Sequence, residues 1–169
     1  MKPKITPTNV EKKLNSEDFI VSKTDSKGII TYCNEIFINI SGYSEHELIG
    51  QQHNIIRHPD MPRAVFHMLW QTIQKGDEFF GYVKNMRKDG GFYWVYANVT
   101  PRLSKNKGYH SVRRKPSQQA IDSIQSIYAE MLAEEKRVGT KEAISASTKI
   151  LEVKLAELGT NYEEFSRAY

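Results

Sequence analysis

The chain has 169 residues, with 24 Lys and Arg, 20 Asp and Glu, and a single cysteine. That length encodes one core-forming domain with room for a small extension, and one cysteine excludes an internal disulfide framework, a Cys-rich zinc site and an iron–sulfur cluster held by this chain alone. No run of about 18 apolar residues offers a transmembrane helix, and the start MKPKITPTNV lacks the apolar core of a signal peptide, so the expected compartment is the cytoplasm.

In chain order, residues 1–15 are polar, contain two prolines and read as a flexible leader, followed by a short helix near Ser16–Asp18. Phe19–Thr24 alternates and stops at the turn residues Asp25-Ser26-Lys27-Gly28. Ile29–Cys33 is a second strand, so the opening unit is a hairpin. Asn34 caps a helix carrying Phe37, Ile38 and Ile40, and Gly42 ends it. Ser44 and Glu47 have capping-box spacing. Asp60-Met61-Pro62 is a helix start, with Val65, Met68, Leu69, Thr72 and Ile73 recurring at helical spacing until Lys75-Gly76. Three further strands are predicted at Phe79–Met86, Phe92–Thr100 and Tyr109–Arg113, with turns at Lys88–Gly91 and Ser104–Gly108. This order gives an α+β domain over residues 16–116, with an antiparallel sheet and helices on one face.

After Pro116 the pattern changes. Ile121, Ile124, Tyr128, Met131 and Leu132 mark an amphipathic helix, which Gly139-Thr140 breaks. Ile144, Leu151, Leu158 and Phe165 then fall seven apart. Residues 117–169 therefore read as a helical extension, a helical hairpin whose stripe packs on its own chain or serves as a dimer or receptor-docking face. Charge divides at the same place: residues 1–116 carry 18 Lys and Arg against 11 Asp and Glu, and residues 117–169 carry 6 against 9. Arg102, Lys105, Lys107, Arg113, Arg114 and Lys115 read as the solvated face of a strand pair, so no nucleic-acid partner is expected.

The stretch His53–Pro62 is dense in chemistry, with two His, one Arg, one Asp and one Asn. Residues alone leave three readings open. His53, His58 and Asp60 could ligate a metal, although no standard zinc spacing is present. Asp60 could simply cap a helix and pair with Arg57. Or the stretch could be a ligand cradle, with Arg57 offering donors to phosphate and His58 a switchable donor. A second constellation comprises Asn85 with Phe79, Phe80, Tyr82, Tyr93, Trp94, Tyr96 and Trp70. It reads either as an aromatic slot with one amide for a heterocycle edge or as ordinary core. No nucleophile elbow, phosphate-binding glycine loop, dinucleotide fingerprint or metalloprotease motif occurs, so an enzyme is not expected.

Taken together, Asn34-x-x-Phe37, Ser41-Gly42-Tyr43, Leu48-Ile49-Gly50, Arg87-Lys88-Asp89-Gly90 and Tyr93-Trp94-Val95 resemble a PAS domain. More specifically, His53–Pro62 with Trp70 and Lys84-Asn85-x-Arg87-Lys88 resembles the flavin-binding PAS domain of bacterial aerotaxis receptors. The resemblance implies a five-stranded antiparallel sheet with short flanking helices, and a non-covalently bound FAD that reports redox state. By position it implies that Arg57, His58, Asp60, Trp70, Asn85, His53 and Asn34 hold that FAD. It implies energy-taxis signalling, here through a separate membrane chemotaxis receptor carrying the HAMP and signalling segments. The protein would then be cytoplasmic, or peripheral at the inner membrane through that receptor. A homodimer through the PAS domain or the C-terminal helices is compatible with it. Cys33 lies outside the helix region where light-sensing relatives carry a reactive cysteine, so no photoadduct is expected. Two other readings are a haem-type gas sensor using His58 or His67 as axial ligand, and a cofactor-free adaptor.

Overall fold

The computed structural model describes residues 4–102 and 107–168. Five strands, β1 (Ile20–Asp25), β2 (Ile30–Cys33), β3 (Phe79–Met86), β4 (Phe92–Pro101) and β5 (Gly108–Arg114), form one sheet in the order β2-β1-β5-β4-β3. Every neighbouring pair is antiparallel. The expected turn at Ser104–Gly108 falls mostly outside the described residues.

Between β2 and β3 run α1 (Glu35–Ser41), α2 (Glu45–Leu48), a 3-10 turn (His53–Ile56) and α3 (Arg63–Gln74). The starts of α1 and α2 have local causes. The Asn34 side chain accepts from the Phe37 amide at the head of α1 and also from the Val21 amide, while its own amide donates to the Phe19 carbonyl. Ser44 and Glu47 form both halves of the capping box of α2. Asp25 accepts from the Lys27 and Ile29 amides and closes the β1–β2 turn.

The head of α3 differs from expectation. Asp60 does not cap it; Pro62 stands at the cap position and supplies no side-chain acceptor. The Glu135 carboxylate, 72 residues away in sequence, accepts from the Arg63 amide at 2.8 Å and the Ala64 amide at 3.3 Å.

The segment expected to be a loose leader runs along the start of β4. The Phe92 amide donates to the Val10 carbonyl, the Lys12 amide to the Phe92 carbonyl, and the Thr8 amide to the Gly90 carbonyl. Leu14 is buried in the core. In place of a helix, Ser16–Glu17 form a turn.

The C-terminal part folds as α4 (Gln118–Val138), α5 (Ala143–Glu157) and a third helix, α6 (Tyr162–Ala168). The seven-residue stripe is not one continuous face, because the helix breaks between Glu157 and Tyr162. Leu151 and Phe165 are buried, whereas Leu158 stands 61% exposed at the break. The extension covers the outer face of the sheet. Trp94 stacks against Tyr128, with ring centroids 6.3 Å apart, and Tyr82 meets Phe165 edge-on at 5.7 Å. It also covers the free edge of β3. The Tyr128 hydroxyl donates to the Tyr82 carbonyl, and the Tyr162 hydroxyl accepts from the Tyr82 amide. Those backbone groups would otherwise be an open template for another strand.

Candidate functional site

Strand alternation decides which side chains reach the inner face. On β3, Val83 and Asn85 point inward; on β4, Val95, Ala97 and Val99 do; on β5, Tyr109, Ser111 and Arg113 do. The 3-10 turn and α3 close over them with His53, Arg57, Phe66, Leu69 and Trp70. A cavity of about 240 Å³ lies between sheet and helices, with an apolar wall and a polar floor of Ser22, His53, Asn85 and Arg113.

The floor is a connected set. Arg113 Nη2 donates to Ser22 Oγ at 2.6 Å, and Nη1 lies 3.3 Å from His53 Nε2. His53 Nε2 is also 3.0 Å from Ser22 Oγ. Because a guanidinium only donates, His53 accepts at Nε2 and is the neutral imidazole. Burial, reinforced by the Arg113 charge, pushes the His53 pKa down to about 3. Burial lowers that of Arg113 to about 10, so it remains a cation at neutral pH. Its Nε has no hydrogen-bond partner among the described residues.

At the mouth, the Arg57 backbone pairs with Asn85 on the β3 edge, and its guanidinium lies 4.3 Å over the Phe66 ring. Arg57 lines both this cavity and a second cleft of about 610 Å³, where the loop meets α4. His58, Arg63, Met86 and Lys136 line that second cleft. His58 is 2% exposed and accepts at Nδ1 from the Asp60 amide at 3.0 Å, which leaves the proton on Nε2. Asp60 is an exposed carboxylate. Burial pushes its pKa up, but the hydrogen bond and charge of Lys84, at 2.9 Å, win and hold it below the usual range.

Of the seven residues the sequence nominates, His53, Arg57, Trp70 and Asn85 meet at the cavity. His58 lies beyond Arg57 in the second cleft, Asp60 anchors the loop to Lys84, and Asn34 joins β1 to α1. The expected aromatic slot is divided by the sheet. Tyr82 and Trp94 face the C-terminal helices, and Tyr96 stacks with Phe80. Sequence reasoning overlooked Ser22 and Arg113. Period-two spacing from Tyr109 through Ser111 to Arg113 carried the signal, hidden inside a basic run. The metal reading finds no support, since the described residues hold no group of three or more His, Cys, Asp or Glu that could bind a metal ion. Neither His58 nor His67 lines the inner cavity, where a haem-type ligand would have to stand.

Comparison with known proteins agrees with this fold. Residues 30–112 match the family model described as the PAS fold. The chain is 41% identical over 128 residues to the aerotaxis receptor of Escherichia coli, covering 75% of this chain and 25% of the receptor. It is 33% identical over 84 residues to the nitrogen fixation regulatory protein of Klebsiella pneumoniae, covering 50% of this chain and 17% of that protein. The chain thus spans a quarter or less of either relative. In fold it is similar to the LOV domain of the Erythrobacter litoralis EL346 blue-light activated histidine kinase, with a TM-score of 0.54, 19% identity, and coverage of 59% of this chain and 97% of that one. The sheet, its flanking helices and the family match define a PAS domain. Within that class this is a PAS domain similar to that of the aerotaxis receptor, followed by a three-helix extension. No helix among the described residues is long and apolar enough to cross a membrane.

Proposed function

We propose that this protein is a non-catalytic redox sensor, which holds FAD in the inner cavity and passes the flavin's state to a separate chemotaxis receptor. The cavity itself carries this reading. It joins an apolar slot walled by Trp70, Leu69 and Val83 to a buried amide, Asn85, and a buried cation with an unused donor, Arg113. A flavin ring needs the same combination: flat apolar faces and a nitrogen- and carbonyl-rich edge. The likeness to the aerotaxis receptor supports the same reading.

A volume of about 240 Å³ suits a ring system and not a whole dinucleotide, which belongs with pockets of roughly 300–1,000 Å³. Arg57 stands between this cavity and the larger cleft. In this reading Arg57 holds the pyrophosphate, and His58 and Lys136 line the space for the nucleotide end. Asp60 acts indirectly, by fixing the loop through Lys84. FAD supplies a reversible two-electron couple. The protein's part is to bind the two forms with different free energies, because only that difference can shift a conformational equilibrium.

The test is the absorption spectrum of the purified full chain, followed by chromatography of the heat-released ligand. Flavin bands with released FAD are expected. Asn85→Ala and Arg57→Ala should each weaken FAD binding about 10-fold or more, the effect of a lost buried hydrogen bond or charge-assisted contact. A protein that stays colourless with added FAD, yet binds a receptor, would establish a cofactor-free adaptor. Equal receptor binding by oxidised and reduced protein would overturn the redox relay.

A further inference from the structure

Arg113 is 3% exposed, and the side chains that contact it among the described residues are neutral. Ser22 faces it from β1, Phe37 from α1 at 4.6 Å, His53 from the 3-10 turn and Tyr93 from β4. Among the described residues no carboxylate forms an ion pair with it. Removing a guanidinium from water without a counter-charge is costly. The side chain is nevertheless held firmly, by Ser22 Oγ and His53 Nε2, with Nε left over and the group lining the cavity. A cation fixed in this way is a receptor awaiting an acceptor or an anion.

Resting on the flavin reading, we propose that Arg113 is the counter-charge for the negative charge that two-electron reduction leaves on the bound flavin ring, with Ser22 and His53 as its positioning residues. Arg113 then changes how many protons accompany the electrons. Two electrons and one proton enter, and the second proton of the neutral reduced ring is not taken up, because the guanidinium balances that charge instead. A reduced nicotinamide supplies both electrons and the proton as hydride. Dithionite supplies the electrons, with the proton drawn from water. His53 does not compete, because its depressed pKa keeps it neutral across the working range. The placement also suits signalling. Arg113 lies on the strand that leads through Pro116 to Ser117, whose side chain caps α4.

The experiment measures the reduction potential of the FAD-loaded full chain between about pH 6 and 8, for the native protein and for Arg113→Gln, Arg113→Lys and Ser22→Ala. The native protein should take up one proton per electron pair throughout. Arg113→Gln should take up a second as the pH falls through neutrality. Its preference for reduced over oxidised FAD should drop about 10- to 100-fold, about 30 mV per factor of ten for a two-electron couple. Arg113→Lys should retain the one-proton behaviour, and Ser22→Ala should shift the potential in the direction of Arg113→Gln by a smaller amount. Two protons per pair in the native protein, or the same count and potential in Arg113→Gln, overturns the proposal. If Arg113→Gln holds no FAD, the native count alone decides. A native chain that takes up no FAD removes the flavin reading and this inference together. One that binds FAD but takes up two protons per electron pair removes only the role of Arg113.

Discussion

His53 shows how one residue's surroundings become a pH dependence. Its imidazole is desolvated beside a fixed guanidinium, so the folded form resists protonation down to about pH 3. The unfolded chain protonates the same group near 6.5. Between those values the unfolded state binds more protons, so stability falls as the pH drops below about 6.5 and the loss ends near 3. His53→Gln, which keeps a polar group but does not titrate, should flatten the stability profile between pH 6.5 and 4 by a few kcal/mol. Denaturant titrations at stepped pH would show it, and parallel curves for the two proteins would refute it. Gly90 makes a steric case at the same scale. Its φ is +91°, and an added Cβ would stand 2.3 Å from the Thr6 carbonyl oxygen. Gly90→Ala should cost about 1–3 kcal/mol by chemical denaturation, through left-handed strain and displacement of the leader. An unchanged midpoint would mean that the leader yields freely.

Helix α3 depends on an element far away in sequence. Its first amides need acceptors, and Glu135 of α4 provides them, with Ser147 of α5 donating to the same carboxylate at 2.6 Å. One buried side chain therefore joins three helices beside the Arg57–Met61 loop. Glu135→Ala should destabilise the chain by about 2–4 kcal/mol, because two amide donors and a hydroxyl lose their acceptor together. Hydrogen exchange should accelerate first at Arg63 and Ala64. If protection there is unchanged, the carboxylate is not the effective cap. If the proposed flavin site is right, a loosened loop should also release FAD faster, because Arg57 lies at the end of that loop.

On the scale of the whole molecule, the extension completes the sheet. Tyr128 and Tyr162 satisfy the Tyr82 backbone on the open edge, and Trp94 packs on Tyr128 across the outer face. A chain ending after Pro116 would expose that edge and an aromatic face at once, and such surfaces associate. The truncated protein should self-associate in size-exclusion chromatography at concentrations where the full chain does not. A truncated domain that stays monodisperse would show that the extension is dispensable for solubility.

Local chemistry made much of the molecule legible. Five strands follow from alternation and turn residues, and the starts of α1 and α2 follow from Asn34 and the Ser44–Glu47 box, because their partners lie within a few positions. The density of polar side chains in His53–Pro62 and the lone amide of Asn85 among aromatics, combined with the PAS resemblance, brought His53, Arg57, Trp70 and Asn85 to notice. Contacts between distant segments were decided only in three dimensions. No local signal says that Glu135 caps a helix 72 residues earlier, that the leader lies beside β4, or that Tyr82 and Trp94 turn toward helices instead of the cavity. Arg113 belongs to the same group. In sequence it is one charge in a basic run, and what sets it apart is burial without an ion pair among the described residues, a property of its surroundings that no stretch of neighbouring residues encodes.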